Sequence, residues 1–367
     1  MSSTARLTHQ RVRLYEVIRT AHLERARELA PASIVYRTER YDFDPSVAPE
    51  VELVKAGPVA AARLLARSGV TTIEVNEPLQ LSAAPATLLT LWSLGAGTLF
   101  GGTRPLVVSY AIENLDPSGF RPARLRSRAK RRVQRWCAER VWRRLDRIVY
   151  GTHGAKSLYE SALSSRPGLD AAVVEALPAP FPSRTGVERD QHQVVFLGAL
   201  SDRKGFPLLA EAWPLLAAAH PGARLVILGT GALEPLATTL AAADPSVTVH
   251  IDPARSVIFD VLAGSRVLVL PSQPRPAWRE QVGLPIVEAL ASGCLVVTTS
   301  ETGIAAWLAD HGHTVVDPDL SAQELADAIG TTLASTTRSQ DVLDDLPDTD
   351  GRLAADARMF ATTAGAR

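Results

Sequence analysis

The chain reads as an α/β protein made of two successive βα series, each a Rossmann-like doubly wound domain. Three observations predict this. Its 367 residues suit two domains of ordinary size. In both halves, short apolar runs alternate with stretches of helical spacing. The proline-dense segment Leu177-Pro-Ala-Pro-Phe-Pro182 separates the halves. Composition agrees: 46% apolar and 21% charged residues supply material for two cores. In doubly wound sheets the residues after each strand's carboxyl end line the ligand crevice, so the two series are expected to face an interdomain cleft.

The elements follow in order. Residues 1–30 mix Arg and Glu with apolar residues throughout and read as an N-terminal amphipathic helix, with no continuous hydrophobic core of the kind a secretory signal has. An acceptor-side domain is expected over 31–180. Its strands are Ser33-Ile-Val-Tyr36, Thr71-Thr-Ile-Glu-Val75, Pro105-Leu-Val-Val-Ser109 and Arg147-Ile-Val-Tyr150, with a helical pattern at Val59 to Ser68. The segments after these strands, Asn76-Glu77-Pro78, Tyr110 to Asn114 and Gly151-Thr-His153, would reach the cleft. Glu77, Glu113 and Asn114 are therefore the acceptor-side candidates, and the plain alternative for Glu113 is a helix-start or turn residue. The uncharged stretch between Glu77 and Arg104 is long enough to span a bilayer, but Pro85, Gly95, Gly97, Gly101 and Gly102 divide it into a buried helix and a loop.

Net charge is zero, so a local excess is informative. Residues 121–147 hold twelve Arg or Lys against Glu139 and Asp146, which predicts a strongly basic helix. Val133, Cys137, Val141 and Leu145 give it an apolar seam expected to pack on the N-terminal sheet. Its basic face has three readings: solvated surface, contact with an anionic membrane or lipid-phosphate acceptor, or nucleic acid. Nucleic acid is the weakest, since no stacking platform or recognised module accompanies the helix. The only cysteines, Cys137 and Cys294, exclude a disulfide scaffold and suit a reducing cytoplasm. His311 and His313 lack ligands at metal spacing and read as loop histidines, so no metal is expected.

The second domain is expected over 181–345, followed by a polar tail, 346–367, in which Arg352 to Phe360 form a helix returning across the domains. Its most informative block is Glu280-Gln-Val-Gly-Leu-Pro-Ile-Val-Glu-Ala-Leu-Ala-Ser-Gly293. The flanking runs, Ser265 to Pro271 and Cys294 to Thr299, read as buried parallel strands. Between them Pro285 opens a helix of about two turns and Gly293 stops it. The free amides at Gly283 and Leu284 would then present a positive dipole end, a site for phosphate. Glu280 and Glu288 flank that helix start, and carboxylates accept hydrogen bonds from sugar and ribose hydroxyls. A solvated loop with two surface glutamates is the bland alternative. Gly229 and Gly231, between a strand and a helix, would let a nucleotide approach the backbone closely.

This arrangement resembles the Glu-x7-Glu motif of retaining glycosyltransferases of family 4, which have the two-domain GT-B fold. The resemblance covers most of 194–330. It includes Val194-Val-Phe-Leu-Gly198, Ser201-Asp-Arg-Lys-Gly205, Ala223 to Gly231, Val267 to Ser272, the glutamate block and Glu301-Thr-Gly303. It implies that Glu280 contacts the donor sugar beside the anomeric carbon, Glu288 binds the ribose hydroxyls and Lys204 pairs with the diphosphate. Glu280 and Lys204 are then the catalytic candidates. Arg203, Gly229, Gly231, Gly283, Leu284 and Glu288 are the donor-binding ones.

Three departures stand out. Ala199 replaces the family's Arg, with Arg203 as the substitute cation; Ala111 stands where a His is usual; and Tyr36 is followed by no Gly-rich loop. The resemblance implies transfer of a sugar from a nucleotide-diphosphate sugar to a hydroxyl acceptor, lipid-linked acceptors included, with retained configuration and no required metal. The expected location is the cytoplasm or the inner membrane face. The alternatives are a noncatalytic scaffold or regulatory subunit, which Ala199 and Ala111 favour, and, more weakly, a GT-B epimerase.

Overall fold

The computed structural model describes residues 6–41, 43–98, 104–116, 125–182, 186–276 and 278–361. Outside them lie the ends of the expected N-terminal helix (1–5), basic helix (121–124) and tail (362–367), together with Gly101 and Gly102. The chain divides into two compact units, one up to Glu175 and again from Arg352, the other from Ala176 to Gly351.

The first unit contains strands β1 (Arg11–Ile18), β2 (Ser33–Glu39), β3 (Leu53–Lys55), β4 (Thr72–Val75), β5 (Leu106–Ala111), β6 (Arg147–Tyr150) and β7 (Asp170–Val173). They form one parallel sheet in the order β3-β2-β1-β4-β5-β6-β7. Helices α1 (Thr20–Ala26), α2 (Pro58–Arg67), α3 (Ala84–Thr98), α4 (Leu125–Trp142) and α5 (His153–Ala162) connect them. Local chemistry starts these helices: Pro58 opens α2, and Thr152 caps α5 by accepting from the Ala155 amide at 2.9 Å.

The second unit runs β8 (Asp190–Leu197), α6 (Phe206–Ala219), β9 (Arg224–Leu228), α7 (Glu234–Ala243), β10 (Val247–His250), α8 (Arg255–Gly264), β11 (Ser265–Leu270), α9 (Leu284–Ala291), β12 (Leu295–Thr299), α10 (Ala305–Asp310), β13 (Thr314–Val316), α11 (Ala322–Leu333) and α12 (Ser339–Asp344). Its parallel sheet has the order β10-β9-β8-β11-β12-β13. Strand order reverses between β8 and β11, which makes the carboxyl ends of those two strands the topological switch point. Their buried runs Val194 to Leu197 and Val267 to Leu270 are continuous apolar stretches, as strands covered on both faces require.

The last helix, α13 (Gly351–Phe360), belongs to the first unit from Arg352 onward. Ala355, Met359 and Phe360 bury against Val108 and Val149. Arg13 on β1 is 1% exposed and pairs with Glu74 of β4 at 3.0 Å and with Asp356 of α13 at 2.6 Å. Arg352 reaches Glu74 at 2.6 Å, closing a buried network of four charges.

This network explains why the N-terminal segment departs from the helix expected from its sequence. Residues 1–30 are not one amphipathic helix. Arg11–Ile18 is an inner strand, paired with β2 and β4, and only Thr20–Ala26 is helical. The charges that suggest a helix face include Arg13, which the strand buries against fixed partners while Val12, Leu14 and Ile18 enter the cores. The first strand of this unit is therefore β1 and not Ser33-Tyr36; the turn after it, Arg19-Thr20, also lacks glycine. Strands β3 and β7, three and four residues long, are additions. Val133 does not join the seam of α4: it is 57% exposed, while Cys137, Val141 and Leu145 are buried. His313 is a core residue and not a loop one, its Nδ1 accepting from the Val296 amide at 3.3 Å.

Candidate functional site

In the second unit the candidates converge just past β8 and β11. Lys204 ends a 3-10 turn, Asp202–Lys204, closed by Gly205 at φ +70°. A Cβ on Gly205 would stand 1.8 Å from the Pro271 carbonyl oxygen, so only glycine lets this turn dock on the end of β11. The Gln273 amide donates to the Arg203 carbonyl at 2.9 Å and pins the same contact. Lys204 is thereby buried with its ammonium paired to the Glu280 carboxylate, to which Ser272 also donates at 3.3 Å. Trp278 forms a wall: the Arg203 guanidinium lies 4.8 Å and the Lys204 ammonium 5.6 Å from its ring centroid.

The glutamate block folds as its pattern requires. Gly283, at φ +91°, precedes α9, and its carbonyl accepts from the Ile286 and Val287 amides at 2.9 and 3.2 Å. Pro285 has no amide proton. Among the described residues the amides of Gly283 and Leu284 are left without an acceptor, at the positive end of the helix. Leu284 itself is exposed.

Glu288 lies one turn in. It is buried, and burial raises its pKa while the Arg255 guanidinium, at 2.8 Å, opposes that rise. The loop before α9 is braced by the segment after β12. Glu301 pairs with Arg279 at 3.2 Å, the Thr302 hydroxyl donates to the Val282 carbonyl at 2.6 Å, and the Gly303 amide donates to the Gln281 carbonyl at 2.9 Å.

Gly229 and Gly231 have a reason inside the fold. A Cβ there would meet the carbonyl oxygens of Gly198 at 1.9 Å and Leu200 at 2.4 Å. The close approach they permit is therefore between the ends of β8 and β9. Sequence reasoning missed Trp278, Ser272, Arg279 and Arg255. Position offered a signal only for Trp278 and Arg279, which immediately precede Glu280.

In the first unit the three acceptor-side candidates are brought together after β4 and β5. The Glu77 carboxylate accepts from the amides of Ile112 at 3.2 Å and Glu113 at 3.0 Å and from the Tyr159 hydroxyl at 3.1 Å. Burial pushes its pKa up to about 7. Glu113 accepts from the Asn114 and Leu115 amides at 3.1 and 2.9 Å, so it shapes its own turn. Asn114 is buried. Among the described residues no group of three His, Cys, Asp or Glu side chains is placed to hold a metal ion.

Two Rossmann-like parallel-sheet units, one carrying paired charges and a helix start at its switch point, define the GT-B class of fold. Comparison with known proteins agrees. Residues 191–335 match the family described as "Glycosyl transferases group 1". The chain is 30% identical over 166 residues to the putative teichuronic acid biosynthesis glycosyltransferase TuaC of Bacillus subtilis, covering 45% of this chain and 39% of that one. It is also 30% identical over 154 residues to a D-inositol 3-phosphate glycosyltransferase of Mycobacteroides abscessus, covering 40% of this chain and 32% of that one. The matches thus span less than half of these curated relatives. Among solved structures it resembles Anabaena HepE in complex with UDP, with a TM-score of 0.66, 16% identity and 95% of both chains covered. It also resembles WaaG, a glycosyltransferase involved in lipopolysaccharide biosynthesis, with a TM-score of 0.60, 15% identity, and 97% of this chain and 100% of that one covered.

Proposed function

We propose that the protein is a glycosyltransferase that moves a sugar from a nucleotide-diphosphate sugar to a hydroxyl acceptor with retention of anomeric configuration. The observation that carries this reading is the buried Lys204–Glu280 pair at the switch point, beside the free amides that open α9. HepE, whose fold this chain shares, is described in complexes with UDP and UDP-glucose, and such a ligand suits these groups.

An arriving diphosphate competes with Glu280 for the Lys204 ammonium and meets the Gly283 and Leu284 amides. Arg203 supplies the second cation that Ala199 does not. The released Glu280 carboxylate accepts hydrogen bonds from the donor sugar, and Glu288 accepts from the ribose once Arg255 yields. As the bond to the leaving phosphate lengthens, Lys204, Arg203 and the helix amides offset the charge growing on the diphosphate. A phosphate oxygen takes the acceptor's hydroxyl proton, so no protein base is needed. These cations suffice for the diphosphate without a metal, and the two buried free cysteines fit work in the cytoplasm.

The test is turnover of a panel of nucleotide sugars, read as nucleotide diphosphate release. Lys204→Ala and Glu280→Ala should each lower turnover by about 100-fold or more, with melting curves that still show a folded chain. Full turnover in both variants would remove the site. A donor that raises the melting temperature of the native chain but is never consumed would favour the scaffold reading instead.

A further inference from the structure

Helix α3 carries no charge over its fifteen residues, yet it is not enclosed. Leu88, Leu91 and Leu94 face the core, while Leu89 and Trp92, one turn apart, are 43% and 40% exposed. On α4, Cys137, Ala138 and Val141 are buried, whereas Val133 and Trp136, also one turn apart, are 57% and 46% exposed. The two outer faces meet where the indoles of Trp92 and Trp136 pack edge to face, ring centroids 5.8 Å apart. The result is an apolar ridge of four side chains crossing two helices. Beside it lies a cavity of about 220 Å³ whose lining is mostly apolar, with Leu79, Leu81, Trp136 and Leu163 joined by Arg135 and Glu139.

Positive charge flanks the ridge along α4. Arg126, Arg128, Lys130, Arg132, Arg135 and Arg140 are all exposed on α4, and the Arg140 guanidinium lies 5.0 Å over the Trp136 ring. The only acidic residue of this helix, Glu139, is engaged by Arg143 and Ser164. Tryptophan and aliphatic side chains flanked by arginines match the two layers of an anionic bilayer surface: acyl-chain boundary for the ridge, lipid phosphates for the guanidinium groups. A second copy meeting this face across a two-fold axis would set the same cations against one another, which opposes self-association. Among the described residues no helix is long and apolar enough to cross a membrane, so the contact is with the surface.

We infer that the α3–α4 face is a docking surface for anionic phospholipid bilayers, with Leu89, Trp92, Val133 and Trp136 inserted below the phosphates and the α4 arginines lying among them. This rests on the first unit alone and stands whether or not the donor site works as proposed.

The experiment is sedimentation of the full chain with phosphatidylcholine vesicles, with and without phosphatidylglycerol, at low salt. Binding is expected only to the anionic vesicles. It should fall at least tenfold in a Trp92→Ser/Trp136→Ser variant and in an Arg128→Gln/Arg132→Gln/Arg135→Gln variant, each checked for native melting. Brominated acyl chains should quench the tryptophan fluorescence of the unaltered chain. No sedimentation with anionic vesicles, no quenching, or undiminished binding of a folded tryptophan variant would each overturn the inference. So would a dimer in solution that this variant dissociates.

Discussion

Both units bury ionised side chains, but at different heights along their sheets. In the first, Arg13 and Glu74 are register partners on neighbouring central strands, and Arg352 and Asp356 descend onto them from α13. In the second, Lys204 and Glu280 lie beyond the strand ends, on loops held by Gly205 and by the 301–303 segment. Charges enclosed within the strands are paired with other charges of the protein and hold elements together. Charges past the strand ends lie beside the open helix start of α9, where a ligand can replace one partner. Burial of a charge is thus a weak guide to function, and its place relative to the strand ends is the better one.

The largest effect that could break this contrast is on stability. Asp356→Ala leaves Arg13 buried with one partner fewer and should cost about 3–5 kcal/mol, read as a lowered melting temperature with donor binding retained in the folded fraction. Lys204→Met/Glu280→Leu should melt no lower than the native protein while losing turnover. Equal melting losses in the two variants would erase the distinction.

The next effect separates the units by pH. Burial, with a smaller contribution from His311, lowers the His313 pKa from 6.5 to about 4. The folded second unit therefore favours neutral His313; that stability is present above about 6.5 and is lost as pH falls towards 4, about 3 kcal/mol in all. Glu77 runs the other way. Its pKa is raised from 4.5 to about 7, so its contribution is complete below 4.5 and is lost as pH rises through 7. Hydrogen exchange resolved by segment should show the second unit loosening in acid and the loops around Glu77 loosening above neutrality. The same pH response in both units would contradict this.

The smallest effect is at Arg255. Its side chain is 64% exposed, so Arg255→Ala should change stability by less than about 1 kcal/mol. Because it frees Glu288, the donor KM should move several-fold with little change in kcat, measured by steady-state kinetics. A collapse in kcat would instead make Arg255 part of the reacting centre.

The contrast also explains what could be read from sequence. The second unit was legible because its strands hold continuous apolar runs, such as Val194 to Leu197 and Val267 to Leu270, and its site residues lie in short contiguous motifs: Arg203-Lys204-Gly205, and Glu280 to Gly293. The helix start at Leu284 and the strands on either side follow directly from that pattern. Arg255 was not legible, since it reaches Glu288 from a different helix, and Trp278 was signalled only by its place near Glu280, its stacking on the remote Arg203 and Lys204 being unreadable. In the first unit, β1 was hidden by Arg13, whose partners Glu74 and Asp356 are remote in sequence. The acceptor-side segments were found through the strands preceding them. That Glu77 spends its carboxylate on the 112–113 backbone was not readable from residue type.

The return of α13 has a consequence for how the protein is made. Asp356 is 343 residues from Arg13, so until the end of synthesis an inner strand of the first sheet carries a guanidinium that has Glu74 but still lacks its second carboxylate partner. The second unit is contiguous, and its sheet can be complete before the first unit is sealed. The half of the protein that begins the chain is then the last to finish folding, and until α13 docks, Val108 and Val149 lack the cover that Ala355, Met359 and Phe360 provide.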